Sequence, residues 1–232
     1  MILWSNVNFD NLLESGCDWL NDYLATHPNV LEELKACQND SIRVKAAPAL
    51  VARGEELAQN GDIDAAVAKF RKAQTWDSRL KFDAKAKAQE FDNKGKAERL
   101  IIEGKTLVRE GKVKEAIAAY KKAQKLDPKV EIDAESWNSL CWDGSLHRRA
   151  ADVMFACEKA VQLAPDYVYA RGSRGLARAL TGNTQGAIED FEAFIAQTDD
   201  KEWKAIEQGW VKDLRAGKNP FTDEELKSLL NQ

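Results

Sequence analysis

Two stretches of the sequence are near copies of each other: GDIDAAVAKFRKAQ at residues 61–74 and GKVKEAIAAYKKAQ at residues 111–124. The same offset continues upstream, where it places Gly54 on Gly104 and Leu57 on Leu107. Agreement of this length does not arise by chance. Each copy predicts a helix, a turn centred on a glycine and a second helix, so the chain is expected to be built from repeated helical hairpins.

The second copy has small residues at Gly104, Ala116 and Ala123, a bulky one at Tyr120, and a proline at Pro128. This pattern resembles the tetratricopeptide repeat (TPR), a helical hairpin of about 34 residues. In that family the small residues let the two helices approach closely, and the proline stops the second helix. The first copy fits the same pattern, with a serine in place of the proline.

Two further copies follow without a gap. Pro165 aligns a degenerate third copy that has Trp137 and Cys141 in its first helix, and a fourth copy carries Gly175 and Phe191 at consensus positions. The resemblance therefore predicts an all-α fold: an α-solenoid of about four TPR-like hairpins with helical caps at both ends. We divide the chain into an N-terminal strand remnant and capping helix at 1–40, repeats at 41–198 and capping helices at 199–232.

About sixteen extra residues separate the first two copies. They are rich in helix formers, and Asp83 is a suitable N-cap. We interpret them as an N-terminal extension of the first helix of copy two, and leave open whether that helix is continuous or broken near Gly95. Pro48 predicts that copy one starts close to that proline.

The C-terminal part contains an apolar stripe at helical spacing, followed by a capping box formed by Thr222 and Glu225. The stripe residues are Trp203, Ile206, Trp210 and Leu214. These features predict one helix packed on copy four and a short last helix that starts at about Asp223. At the other end, Pro28 is expected to close an amphipathic helix that starts near Phe9.

A narrower resemblance covers nearly the whole chain. ILWSNVNFDNLL at residues 2–13, WNSLCWDGSL at 137–146 and SRGLARALTGN at 173–183 look like the C-terminal region of cyanobacterial WD-repeat signalling proteins. This resemblance implies an interaction module associated with signalling, in which Ile2, Leu3 and Trp4 are the remnant of a propeller strand. The catalytic domains that often lie upstream in those proteins have no counterpart in these residues.

Composition narrows the function further. The chain has 232 residues, a formal net charge of −4 and no long apolar run, so we expect no transmembrane helix. The N-terminus lacks the basic region of a secretory signal, which favours a cytoplasmic protein. The four cysteines, Cys17, Cys37, Cys141 and Cys157, are then expected to be reduced and buried. Their spacing disfavours a zinc site, and we expect neither a cofactor nor enzymatic activity.

The segment 81–129 is basic: it holds 14 Lys and Arg against 8 Asp and Glu. A basic helical repeat could bind nucleic acid, but the acidic residues are interleaved with the basic ones and aromatic residues are sparse. A solvated helix face is the simpler interpretation, and nucleic-acid binding is kept as the alternative function.

The favoured function is protein–protein interaction, in which the repeats bind a protein or peptide segment in their concave groove. In the resembled family, fixed positions of each first helix line this groove. Where chaperone-binding members carry Lys and Asn, this chain has Val51 and Glu55, which disfavours that ligand class. The remaining positions define a candidate groove formed by Glu98, Ile101, Lys105, Val108, Arg109, Asn138, Trp142, Tyr169 and Leu176.

Overall fold

The computed structural model describes residues 8–231, which form two compact units divided between Lys96 and Ala97. The predicted strand remnant at Ile2–Trp4 lies outside the described residues. All regular structure within residues 8–231 is helical, and the predicted all-α class of repeated hairpins is confirmed. None of these helices combines the length and the apolar character needed to span a bilayer.

The first unit contains three short helices, a single 3-10 turn at Lys35–Cys37, one hairpin and the start of a long helix. Its helices are α1 (Phe9–Trp19), α2 (Asn21–Thr26), α3 (Pro28–Glu33), α4 (Asp40–Gln59), α5 (Ile63–Trp76) and the beginning of α6 (Ala84–Arg109). The hairpin α4–α5 is the first predicted copy.

The second unit begins within α6 and contains three hairpins followed by two helices. Its helices are the end of α6, then α7 (Val113–Leu126), α8 (Ala134–Leu146), α9 (Ala150–Leu163), α10 (Val168–Leu180), α11 (Thr184–Gln197), α12 (Lys201–Arg215) and α13 (Asp223–Leu230). The predicted domain limits at 40 and 198 stay a prediction; the division between the units falls at neither of them.

The turns inside three hairpins follow the repeat. Gly61, Gly111 and Gly182 occupy equivalent positions and have φ values of +92°, +76° and +86°. Residues with a side chain rarely adopt this left-handed conformation, whereas glycine does so freely. The glycine-centred turns expected from the sequence are therefore confirmed.

One open question about helix limits is decided, and two expectations change. Helix α6 is continuous through Gly95, where a Cβ atom would overlap the backbone carbonyl of Gln59; this glycine permits a close helix crossing and does not mark a break. Pro48 lies inside α4, which starts eight residues earlier and is anchored there by the buried Ile42 and Ala46. The predicted N-terminal helix is divided at Leu20, and Pro28 begins α3 because its fixed φ suits a first helical position.

The C-terminal expectations hold. The stripe on α12 packs into a hydrophobic cluster with α11 and α13, and Phe221 joins the same cluster. The Thr222 hydroxyl accepts a hydrogen bond from the backbone N–H of Glu225 at 3.2 Å, as the capping box predicts.

The N-cap expected at the start of α6 is also formed. The Asp83 carboxylate accepts a hydrogen bond from the backbone N–H of Ala86 at 2.7 Å.

The expectation of reduced cysteines is wrong for this structure. Cys17 and Cys37 form a disulfide with a Cα–Cα distance of 5.2 Å, and Cys141 and Cys157 form another at 4.9 Å. The second bond joins α8 to α9 within one hairpin. Both Cα–Cα distances lie in the range that a disulfide spans.

Candidate functional site

An open cleft in the second unit lies among α8, α10, α11 and α12. Its volume is about 190 Å³. Most of its lining is aromatic, with a few polar groups and one carboxyl group. The lining residues are Asn138, Trp142, Tyr167, Tyr169, Gly172, Ser173, Phe194, Trp203 and Glu207.

Aromatic rings from four helices form the walls of the cleft. Trp142 of α8 packs edge-to-face on Trp203 of α12, with ring centroids 5.4 Å apart. Tyr169 of α10 packs in the same manner on Phe194 of α11 at 5.6 Å. Tyr169 remains 41% exposed, so its ring is accessible from solvent. Edge-to-face pairs hold such rings in defined positions.

Glu207 of α12 is the most unusual group in the cleft. Glu207 is only 2% exposed. Its Oε2 atom has no hydrogen-bond partner among residues 8–231. Burial raises the pKa of Glu207 to about 9, and the negative charge of Asp190 adds to this effect. The carboxyl group is therefore neutral at pH 7 in the structure as it stands.

Gly172 makes room for this carboxyl group. A Cβ atom on residue 172 would overlap Oε1 of Glu207, so any larger residue would displace this carboxyl group. Because Gly172 has no side chain, α10 leaves space for the Glu207 carboxyl group that faces it. The two residues act as one packing unit.

A second polar atom of the cleft also lacks a partner. Oδ1 of Asn138 is buried and accepts no hydrogen bond from the described residues. Tyr167 stands next to it: burial raises the pKa of the Tyr167 hydroxyl, and a hydrogen bond with Asn138 partly offsets that rise. The unpartnered Asn138 oxygen is therefore a hydrogen-bond acceptor, and Oε2 of Glu207 becomes one when its carboxyl group ionises.

Two basic groups of α10 already have acidic partners. Arg174 contacts both Asp190, at 2.6 Å, and Glu158, at 2.7 Å, while Arg178 reaches Asp190 at 2.9 Å. This network ties α10 to α9 and α11. It supplies no hydrogen bond to the free oxygen of Glu207.

The structure brings three of the predicted groove residues together. Asn138, Trp142 and Tyr169 come from two different hairpins and line the same cleft. Trp142 is half-buried and packs on α12, not on the second helix of its own hairpin. These three residues are the part of the predicted groove that forms a defined concave site.

The other predicted positions lie elsewhere. Lys105 is half-buried, with its Nζ 3.9 Å from Glu135, whereas Glu98 and Arg109 are exposed on α6 and Ile101 packs against a hydrophobic cluster. Val108 and Leu176 are corrections to the prediction. Both are completely buried in hydrophobic clusters, so neither side chain lines an open groove.

Sequence reasoning missed Glu207, Trp203 and Phe194 as cleft residues. The signal for Glu207 is its position: it lies four residues after Trp203 and three before Trp210, inside the apolar stripe of α12. A carboxylate on the buried face of a helix either has a partner or serves a site.

A Cys–His nucleophile is not formed. Cys141 is bonded to Cys157, and His147 packs on Gly111 and contacts the backbone carbonyl of Arg109 at 3.3 Å. Residues 8–231 contain no group of three His, Cys, Asp or Glu side chains that could hold a metal ion.

The repeated hairpins define a helical-repeat protein. Comparison with family models identifies the type of repeat. A tetratricopeptide-repeat model matches residues 47–79 and 97–130, and a second tetratricopeptide-repeat model matches residues 147–208. Together they cover more than half of the chain, which therefore belongs to the tetratricopeptide-repeat family. Proteins of this family commonly mediate protein–protein interaction and are typically scaffolds without enzymatic activity.

Among solved structures, the crystal structure of the P58(IPK) TPR domain is similar to this chain. The two are 20% identical with a TM-score of 0.47, and the alignment covers 90% of this chain and 56% of that one. The chain thus spans little more than half the length of that structure. No functionally curated protein matches the sequence.

Proposed function

We propose that this chain is a non-catalytic recognition module that binds a segment of a partner protein in the cleft of its second unit. One observation supports this function above the others: Asn138, Trp142 and Tyr169, chosen as groove positions in two hairpins, line one open cleft. Interaction sites depend on a few rigid aromatic anchors surrounded by polar groups, and this cleft has that composition.

In the proposal, the groove positions of α6 that do not line the cleft provide additional contacts to the same partner segment. Glu98, Lys105 and Arg109 offer charged contacts on α6, and Ile101 adds a partly buried apolar one. Charged rim residues contribute mainly to selectivity and association rate, so the aromatic cleft is assigned most of the affinity.

The proposal is tested by selecting peptides from a random library on the immobilised protein. Peptides selected by the wild type are then measured against the double variant Trp142→Ala/Tyr169→Ala. We expect a loss of affinity of at least tenfold, because both anchors are removed.

The matched control is Trp19→Ala. Trp19 is 86% exposed on α1 and lies in the first unit, so this variant loses an aromatic ring without altering the cleft. Peptides that bind the double variant and the control equally well would refute the cleft as the binding site.

Nucleic-acid binding by the basic segment 81–129 is the alternative. Several of its lysines have acidic partners within their own unit: Lys87 contacts Glu55 at 2.7 Å, and Lys96 contacts Asp92 at 2.7 Å. An oligonucleotide titrated over a salt series separates the two functions, since electrostatic binding to phosphates weakens steeply with salt.

The cellular setting is also a proposal. The resemblance to cyanobacterial WD-repeat proteins supports a role next to signalling domains. The cytoplasmic location expected from the sequence is opposed by the two disulfides, since cytosolic thiols are generally kept reduced.

A further inference from the structure

We propose that the cleft receives the ammonium group of a lysine side chain, with Glu207 as its counter-ion and Trp142, Trp203 and Tyr169 as its aromatic walls. This inference rests on the proposed function and specifies the chemistry of the segment that is bound. It assigns a role to a buried carboxyl oxygen that has no hydrogen-bond partner among residues 8–231.

The free hydrogen-bonding capacity of the cleft determines the type of ligand. Among residues 8–231, Oδ1 of Asn138 is a buried acceptor without a donor, and Oε2 of Glu207 is a buried oxygen without a partner that accepts hydrogen bonds once its carboxyl group ionises. A buried acceptor left without a donor is unfavourable, so a ligand that fits must bring N–H or O–H groups. An ammonium group provides three donors and no acceptor.

Charge complementarity points the same way. The guanidinium groups of Arg174 and Arg178, on the same helix as Gly172, are already bound to Asp190 and Glu158. Asp190 itself acts on Glu207 as a further negative charge. A cation entering the cleft would therefore meet an electrostatically favourable site.

The walls of the cleft suit an alkylammonium group. Trp, Tyr and Phe rings attract cations through their faces, and they pack well on the methylene stem of a lysine. The cleft volume of about 190 Å³ is below the 300–1,000 Å³ that is typical of small-molecule sites. This size suits one side chain projecting from a partner segment.

Binding changes the protonation of the carboxyl group. Glu207 is neutral in the empty cleft at pH 7, because burial raises its pKa to about 9. An ammonium group favours the ionised form, so the proton of Glu207 leaves to solvent as the cation binds. The other titratable groups around Glu207 are Asp190, with its arginine partners, on the packed helices and Tyr167 and Tyr169 in the cleft.

The test uses two small probes that differ only in the charged end. Nα-acetyl-lysine methylamide carries the ammonium group, and Nα-acetyl-norleucine methylamide has a similar stem without it. Binding to the full chain is followed by nuclear magnetic resonance of the indole N–H signals of Trp142 and Trp203, assigned with Trp→Phe variants. We expect saturable shifts with the lysine probe and at least tenfold weaker binding of the norleucine probe.

Two variants connect the result to Glu207. Glu207→Gln keeps the shape but removes the negative charge, and should weaken lysine-probe binding at least tenfold. Glu202→Gln is the matched control on an exposed turn of the same helix and should bind normally. Gly172→Ala is a second variant at the cleft, expected to displace the Glu207 carboxyl group and so to weaken binding independently.

Equal binding of both probes, equal binding by Glu207→Gln and wild type, or no binding of the lysine probe would each overturn the inference. These results differ from a failure of the proposed function. Library selection could yield peptides that need the aromatic anchors and contain no lysine, which would refute the inference alone.

Discussion

Gly104 of α6 lies directly against the ring of Tyr120 of α7: a Cβ atom at residue 104 would be 2.5 Å from Cδ1 of that ring. The same relationship recurs between Gly54 and Phe70, and between Gly175 and Phe191, with Cβ positions 2.6 Å from a ring carbon in each case. A glycine on the first helix and an aromatic ring on the second therefore set the separation of the helices in three hairpins.

Gly104→Ala should lower the free energy of unfolding by roughly 1–3 kcal/mol, because the added methyl group forces the Tyr120 ring or the helix to move. Gly209→Ala is the matched control: no atom lies within 4 Å of its Cβ position, and alanine favours helix over glycine by about 1 kcal/mol. Denaturant unfolding should show opposite signs for the two variants. Equal changes would contradict the hairpin register.

Glu207→Gln should change how stability depends on pH. Below about pH 4.5, the ordinary pKa of Glu207, the carboxyl group is protonated in both states, so the folded protein has its full stability. As the pH rises towards the folded pKa of about 9, only the unfolded state ionises, and stability falls by about 1.4 kcal/mol per pH unit.

Glutamine cannot ionise, so Glu207→Gln should become more stable than wild type as the pH increases, by roughly 3 kcal/mol at neutral pH. Melting temperatures of both proteins between pH 5 and pH 8 measure this difference. Glu202→Gln, whose side chain is exposed, should show no such trend. Parallel curves for wild type and Glu207→Gln would show that the carboxyl group is not held neutral.

Asp190→Asn should destabilise the second unit by about 3–5 kcal/mol, since it removes the shared partner of two half-buried guanidinium groups. Urea unfolding gives the magnitude. Asp213→Asn is a suitable control, because Asp213 has no ion pair in the described structure. A decrease in unfolding free energy below 1 kcal/mol would mean that solvent replaces the contacts that Asp190 makes with Arg174 and Arg178.

Reduction of the disulfides should lower the unfolding free energy by about 3 kcal/mol for each bond, given loops of 20 and 16 residues. Alkylation of the denatured chain followed by mass measurement tests the bonds themselves. No label should add before reduction, and four labels should add after it. The variant Cys141→Ala/Cys157→Ala measures the contribution of the bond within the α8–α9 hairpin. Four labels added without reduction would contradict both disulfides, and two labels would contradict one of them.

The repeat made the hairpins predictable because a glycine turn, small packing residues and an aromatic ring recur at fixed spacing. Helix limits were less predictable where tertiary contacts outweigh local signals. Pro48 disfavours helix locally, but the buried face of α4 continues through it. Gly95 suggests a break, but its missing side chain serves a close contact with Gln59.

The candidate site was predictable only in part. Asn138, Trp142 and Tyr169 followed from repeat positions, but the wall supplied by Trp203 and Glu207 belongs to a helix outside the aligned copies. Val108 and Leu176 were assigned to the groove, but both are buried, because a position in the repeat does not by itself show whether neighbouring helices cover the side chain. The disulfides depend on Cβ distances that spacing alone does not give.

The neutral state of Glu207 also alters the electrical behaviour of the folded molecule. The formal charge of −4 counts every carboxylate as ionised, so the native protein with an empty cleft carries one negative charge fewer from this residue at neutral pH. A substance that opens the cleft and lets Glu207 ionise, without itself adding charge, would therefore increase the mobility of the protein towards the anode in a native gel. A bound ammonium group would leave the mobility unchanged, because it adds one positive charge and expels one proton.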